Sequence, residues 1–342
     1  MQILTCEGSC CSQWGHDFRP DYLKLGLLKQ LFPRVPIMAL TATATDRVRH
    51  DCQAMLGISG CAVFQGSVNR GNLAYKVVAK ADAAKDVLAD IVKRIRDSFS
   101  GKTGIIYCLS RKDAEDVAQG LGDAGLRALP YHSDLSEEYR MRVQEQWSKG
   151  VVHIIVATIA FGMGINKAEV RYVIHHSMSK SIAAYYQESG RGGRDGLRAE
   201  CILYYRPGDL TRLSTLTVHE RNALAGVYEM AKYCEARTCR RAMISECFGE
   251  RRHLCSEDQA FCDTCLAVRA ADGRGGGARK RGASEEDYAG VDMTDYAQGV
   301  LKIVEPSGAG ARPKSLTLNK IVEQWKKAAH VPGINSFMEC VM

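Results

Sequence analysis

The sequence predicts an α/β protein built on a parallel sheet, followed by a helical, cysteine-rich module. Short apolar runs of strand length alternate with helix-length amphipathic segments from Val35 to Glu188. Alternation at that spacing implies parallel strands covered on both faces. Beyond Thr217 the pattern turns helical, and cysteines then cluster between positions 234 and 265. Cys52, Cys61, Cys108 and Cys201 instead lie singly in apolar stretches, as reduced core cysteines do. The 342 residues are 46% apolar and 25% charged, enough for a sizeable core and two or three domains. A net charge of +7 is compatible with a polyanionic partner without demanding one. Met1 to Thr5 lacks a charged, then apolar, leader pattern, so no signal peptide is expected. No long apolar run predicts a transmembrane helix.

Taken in order, Val35 to Leu40 reads as a buried strand ending in Thr41-Ala42-Thr43-Ala44-Thr45. Asp46 to Leu56 reads as a helix, with Asp46 placed to cap free amides and favour the dipole. Lys85 to Phe99 carries Val87, Leu88, Ile91, Val92 and Ile95 at helical spacing. Thr103 to Leu109 is a strand and Lys112 to Leu121 a helix; Ala128 to His132 is a strand and Glu137 to Lys149 a helix. His153 to Ala157 and Arg171 to His175 are strands, and Ile182 to Glu188 is a helix. Asp272 to Gly282, with three successive glycines and Arg279-Lys280-Arg281, reads as a flexible basic linker. Val291 to Val304 and Leu316 to Lys327 have the pattern of two further helices.

Several stretches carry chemistry. Gly101-Lys102-Thr103 has the triplet that closes a phosphate-binding loop, but Arg96 stands where that loop's first glycine belongs. The order is also inverted, because a phosphate loop leaves a strand and opens a helix. An ordinary helix-to-strand turn is expected there, and no phosphate loop is found elsewhere in the sequence. Ser12 to Tyr22 groups Trp14, His16, Phe18 and Arg19, offering stacking faces together with phosphate donors. The glycines of Ala157 to Lys167 allow close backbone approach to a phosphate or sugar. Gln187 to Gly196 puts Arg191 and Arg194 three apart on a glycine-loosened turn, just after Tyr185 and Tyr186. Cys239, Cys255, Cys262 and Cys265 could surround one ion, the closing C-x-x-C having zinc-knuckle spacing. On spacing alone Cys234 and Cys247 compete with them.

Together these stretches resemble the signature motifs of the RecQ family of DNA helicases. Gln187 to Gly196 is similar to the last helicase motif. The resemblance implies that Gln187 organises interdomain hydrogen bonds, that Arg191 faces the nucleotide cleft and that Arg194 is the arginine finger on ATP. Ala157 to Lys167 resembles the fifth motif, which puts Gly164 and Asn166 beside the nucleotide; many members have aspartate at the latter position. Leu40 to Thr45 resembles the third motif. Trp14, Phe18 and Arg19 match the aromatic-rich loop that senses single-stranded DNA, and Ser110, Ser133 and Thr158 fall in loops that meet the DNA backbone. Where the family has an acidic box, Glu7 is in register but Cys6 replaces the aspartate, and a thiol is a poor ligand for Mg²⁺. The zinc-subdomain pattern selects Cys239 with Cys255, Cys262 and Cys265, a closed, structural Zn²⁺ site.

The implied architecture is a RecA-like parallel sheet in which the second helicase lobe is complete and the first partial. Residues 1–75 are a remnant of the first lobe, 76–216 the second lobe and 217–270 the zinc-binding subdomain. Residues 271–288 are the linker and 289–342 a partial winged-helix-like region. The remnant is expected to be poorly soluble through an exposed sheet edge, and 76–270 to fold with zinc. The implied activity is ATP-dependent 3′-to-5′ DNA unwinding in recombination and repair, on single-stranded and forked DNA, in the nucleus and away from membranes. ATP and Mg²⁺ enter only if the phosphate loop and acidic box are supplied, so the chain as given is expected to be inactive alone. The alternative is a non-catalytic, zinc-containing DNA-binding or regulatory module.

Overall fold

A computed structural model describes residues 4–7, 24–41, 45–162, 167–220, 223–256 and 259–272, the first four by backbone only. The 289–342 region, and all but the first two residues of the linker, lie outside the described residues.

The leading segment forms a parallel pair, β1 (Leu4–Glu7) with β2 (Ile37–Leu40), beside two helices, α1 (Gly26–Leu31) and α2 (Asp46–Leu56). The α2 cap is Thr45, whose hydroxyl accepts from the Val48 amide at 3.4 Å, so Asp46 serves the first turn rather than the cap. Contrary to the buried strand read from its apolar run, β2 is largely exposed at Met38 and Leu40. Among the described residues only β1 pairs with it.

Six parallel strands make the main sheet: β3 (Leu73–Ala79), β4 (Thr103–Tyr107), β5 (Ala128–Tyr131), β6 (Ile154–Ala157), β7 (Val170–His175) and β8 (Ala199–Tyr205). Their order is β3-β8-β7-β4-β6-β5. The intervening helices are α3 (Ala84–Ser98), α4 (Arg111–Asp123), α5 (Glu137–Ser148) and α6 (Ile182–Ser189). Side chains alternate across the pleat, so neighbours in one strand enter different cores. Ile106, Ile174, Ile202 and Tyr204 pack with Ile91 of α3 and Val117 of α4. Ile105 and Val173 face Val143 and Trp147 of α5. The Gly101-Lys102-Thr103 triplet is a helix-to-strand turn: the Lys102 amide returns to the Phe99 carbonyl at 2.9 Å and Gly101 takes φ +69°.

Gly104 in β4 is demanded by packing. A Cβ there would lie 2.0 Å from the ring of Tyr172, which is fully buried against Phe99 at 4.6 Å between centroids. Gly104→Ala is therefore expected to lose about 3 kcal/mol by overpacking, read as a lower urea midpoint at unchanged m.

The division at residue 75 needs correction. It falls inside β3, where Leu73, Ala74 and Tyr75 already pair with Ala199, Glu200 and Cys201. Nor, among the described residues, does the segment 217–272 have a core of its own. Helix α7 (Pro207–Thr217) crosses that boundary, and α8 (Ala223–Glu235), α9 (Arg240–Cys247) and α10 (Asp263–Asp272) follow it. Tyr233, Ile244 and Phe248 share one core with Leu73, Tyr75, Cys201 and Leu203. Among the described residues no helix is long and apolar enough to cross a membrane.

Candidate functional site

Ser181 starts α6 by accepting from the Ala184 amide at 3.1 Å, and Gln187 sits half-buried in its last turn. The chain then leaves the helix through Gly190, Gly192 and Gly193. A Cβ on Gly193, at φ +56°, would meet the Asn72 amide nitrogen at 2.4 Å and the Leu197 carbonyl at 2.6 Å, so only glycine fits. Arg191 is buried and donates to the Gly162 carbonyl, while the neighbouring Phe161 carbonyl accepts from the Tyr107 hydroxyl at 2.9 Å. Arg194 faces outward. Burial first, then the charges of Arg191 and Arg70, make its guanidinium easier to deprotonate than a free one. Arg194 thus lies in the positive field of Arg191 and Arg70. The turn is backed by a buried chain in which Glu188 accepts from Ser179 at 2.6 Å and meets His175 at 2.9 Å.

Ser110, Thr158 and Ser133 follow β4, β6 and β5, which are adjacent and parallel, so they share one rim at the carboxyl ends of the strands. That rim is where open α/β sheets bind ligands. Their local roles differ. The Ser110 hydroxyl accepts from the Asp113 amide at 3.1 Å in a capping box, and Arg212 lies 2.8 Å from Asp113. It is thus already occupied by the start of α4. Thr158 makes a local turn, its Oγ1 accepting from the Ala160 amide at 3.5 Å, whereas Ser133 is exposed. Its neighbour His132 is buried against Glu115 at 3.1 Å. After β7, burial and then the charge of Lys80 pull His176 down to about 4. Trp14, Phe18, Arg19, Gly164 and Asn166 lie outside the described residues.

The second constellation is the cysteine centre. The thiol sulfurs of Cys239, Cys255, Cys262 and Cys265 all lie within 4.8 Å of one another. Cys239 and Cys255 are 3.7 Å apart, and Cys262 and Cys239 3.9 Å. A tetrahedron with Zn–S bonds of about 2.3 Å requires sulfurs roughly 3.8 Å apart, so the set fits zinc. Cys234 and Cys247 stay outside it, on α8 and α9, where burial holds both thiols protonated. Within the cluster, the contacts with Cys239 and Cys255 pull Cys262 down, and the contact with Cys239 pushes Cys255 up. A bound cation would hold all four as thiolates. The Cys262 amide also donates to the Cys255 sulfur at 3.4 Å, an outer contact that orients the ligand.

Two side chains dock this centre on the sheet. Asp263 accepts from the Val77 amide of β3 at 2.8 Å and from Arg240 at 3.0 Å. Arg241 is buried and donates to the Asn69 side chain at 2.8 Å and to the carbonyls of Arg70 at 2.6 Å, Gly71 at 3.0 Å and Ala260 at 2.9 Å. The sequence reading assigned no role to Arg70, Asn72 or Arg241. Their only signal is a polar run, Asn69-Arg70-Gly71-Asn72, lying just before a strand.

Fold and site together define a helicase-type motor lobe joined to a zinc module. Residues 83–196 match the helicase conserved C-terminal domain, and residues 207–266 match the RecQ zinc-binding family. The chain is 42% identical over 326 residues to ATP-dependent DNA helicase Q1 of Rattus norvegicus, covering 94% of this chain and 49% of that protein. It is 44% identical over 309 residues to ATP-dependent DNA helicase Q-like 2 of Arabidopsis thaliana, covering 90% and 41%. Against RecQ-like DNA helicase BLM of Xenopus laevis it is 40% identical over 344 residues, covering 94% and 24%. S. cerevisiae Dbp5 bound to RNA and ADP BeF3 superposes with a TM-score of 0.51 at 18% identity, covering 65% of this chain and 58% of that one, a likeness of fold alone. The chain belongs to the RecQ family of DNA helicases. It spans about half or less of the length of these curated relatives.

Proposed function

We propose that the chain is the DNA-engaging second lobe and zinc module of an ATP-dependent 3′-to-5′ DNA helicase of recombination and repair, resident in the nucleus. The observation that carries this reading is the arginine-bearing turn on a RecQ-family lobe. Phosphoryl transfer needs a metal, a phosphate cradle and a finger together, and Arg191 and Arg194 provide positive charge where a transferred phosphoryl group becomes more negative. The rim bearing Ser110, Ser133 and Thr158 holds the backbone of single-stranded or forked DNA, and zinc on the four cysteines supports the fold. The nucleotide and Mg²⁺ require a phosphate cradle, which is absent from the sequence as given. A non-catalytic DNA-binding or regulatory module is the second reading; the retained Gln187, Arg191 and Arg194 favour the first.

Both readings are tested with the purified chain. Fluorescence anisotropy on labelled single-stranded and forked oligonucleotides should show binding that weakens with salt, at a slope of about −0.7 per phosphate neutralised. Binding that ignores salt, or none at all, would sink both. DNA-stimulated ATP hydrolysis should be undetectable, in the chain and in Arg194→Ala alike. Turnover that Arg194→Ala abolishes would reveal a phosphate site and decide for the enzyme.

A further inference from the structure

The segment that leads into β3 does more than connect. The Arg70 guanidinium points at the exit of α6, donating to the carbonyls of Gly192 at 3.1 Å and Gly193 at 2.9 Å, with Gly190 at 3.4 Å. These carbonyls follow a helix C-terminus, where backbone acceptors lack intrahelical partners and a cation is favoured. Asn72 adds two more contacts, to the carbonyls of Gly193 at 2.7 Å and Leu197 at 2.9 Å. A turn containing four glycines between 190 and 196 has little stiffness of its own, so its set depends on these donors. The other side of the same segment is held by the zinc module. Arg241 takes the Arg70 and Gly71 carbonyls, and the Ala260 amide donates to the Gly71 carbonyl at 2.8 Å. Glu250 accepts from the Val68 amide at 2.8 Å, and Tyr186 of α6 donates to the Val68 carbonyl at 3.0 Å.

We propose that Arg70 is a positioning residue for the turn bearing Arg191 and Arg194, and that through Arg241 it makes the set of that turn depend on the zinc module. Arg70 reaches the turn with its side chain while the module holds its backbone, so a shift at either end moves the other. The function proposed above supplies only the purpose of the turn; the geometric dependence stands without it.

Hydrogen exchange read by mass spectrometry on the zinc-loaded chain tests this. In Arg70→Ala, peptides covering residues 190–197 should exchange about tenfold faster or more, while β4 and β7 peptides and zinc content stay as in the unaltered chain. Arg70→Lys, which keeps the charge but cannot fork between carbonyls, should fall between. Guanidinium ion added far below denaturing concentrations should restore protection to Arg70→Ala but not to the unaltered chain. Arg241→Lys, which does not touch the turn, should also loosen 190–197. Native protection of 190–197 in Arg70→Ala or Arg70→Lys overturns the proposal, and so does a uniform rise in exchange across all peptides in both. An unaltered chain that fails to bind DNA would remove the proposed function and leave this dependence intact.

Discussion

Chelation of zinc is expected to unfold the sheet together with the module that holds the metal. Two features make the loss general. Tyr233 and Phe248 lie in the same core as Leu73, Tyr75 and Leu203, so the module cannot melt without opening one face of the sheet. Asp263, between two cysteine ligands, also holds the edge strand β3 through the Val77 amide. Structural zinc contributes on the order of 10–16 kcal/mol, against a total domain stability of about 5–15 kcal/mol. The metal-free chain should therefore lie on the unfolded side. Circular dichroism during titration with a chelator should show helix and sheet signals lost together, and Cys262→Ser should behave as the chelated protein does. A sheet that keeps its native melting midpoint without zinc would show that the shared core is not cooperative.

Arg241→Met is expected to cost about 4 kcal/mol, among the largest effects of any single side chain outside the cysteines. The arginine is buried and serves carbonyls of Arg70, Gly71, Leu73 and Ala260. Each acceptor left dry and unpaired costs about 1–3 kcal/mol, and partial rehydration limits the sum. Urea unfolding monitored by fluorescence should show the lowered midpoint, with Arg241→Lys recovering less than half because an ammonium cannot fork. The same contacts bear on the expectation that residues 76–270 fold with zinc. A chain beginning at 76 lacks Asn69, Arg70, Gly71 and Leu73, which are acceptors for Arg241, and the first half of β3. It should remain unfolded even when zinc is supplied.

Much of the fold was legible because buried strands and amphipathic helices write different periods. Asp46 to Leu56 reads as a helix and is one, and β4 to β7 fall within a residue or two of their apolar runs. Three strands were not read, β1, β3 and β8, and the last two contain Lys76 and Glu200, which interrupt the apolar run. Apart from that one charge each strand is a continuous apolar run, LAYKVVA and AECILYY, so no period-2 alternation marks them. The cysteine set was readable in its closing C-x-x-C, but spacing alone left Cys234 and Cys247 open; the family resemblance set them aside, and the geometry agrees. Ser110 shows the opposite limit. A serine three residues before an aspartate and at a helix start already signals a capping box, which local sequence reading can detect. The roles of Arg70 and Arg241 were not legible locally, because the carbonyls of the turn lie 120 or more residues from Arg70 and most acceptors of Arg241 lie about 170 residues from it. A carbonyl as acceptor leaves no trace in the residue type that bears it.

The pairing of β3 with β8 also sets an order in time. Leu73 leaves the ribosome long before its partner Ala199, and the Asp263 that closes the outer edge comes later still. Until then a strand with Val77 and Val78 on it is available to any other chain nearby. Non-local closure of this kind is slow. A shortage of zinc during synthesis, rather than after it, is the condition under which this protein is most exposed to aggregation.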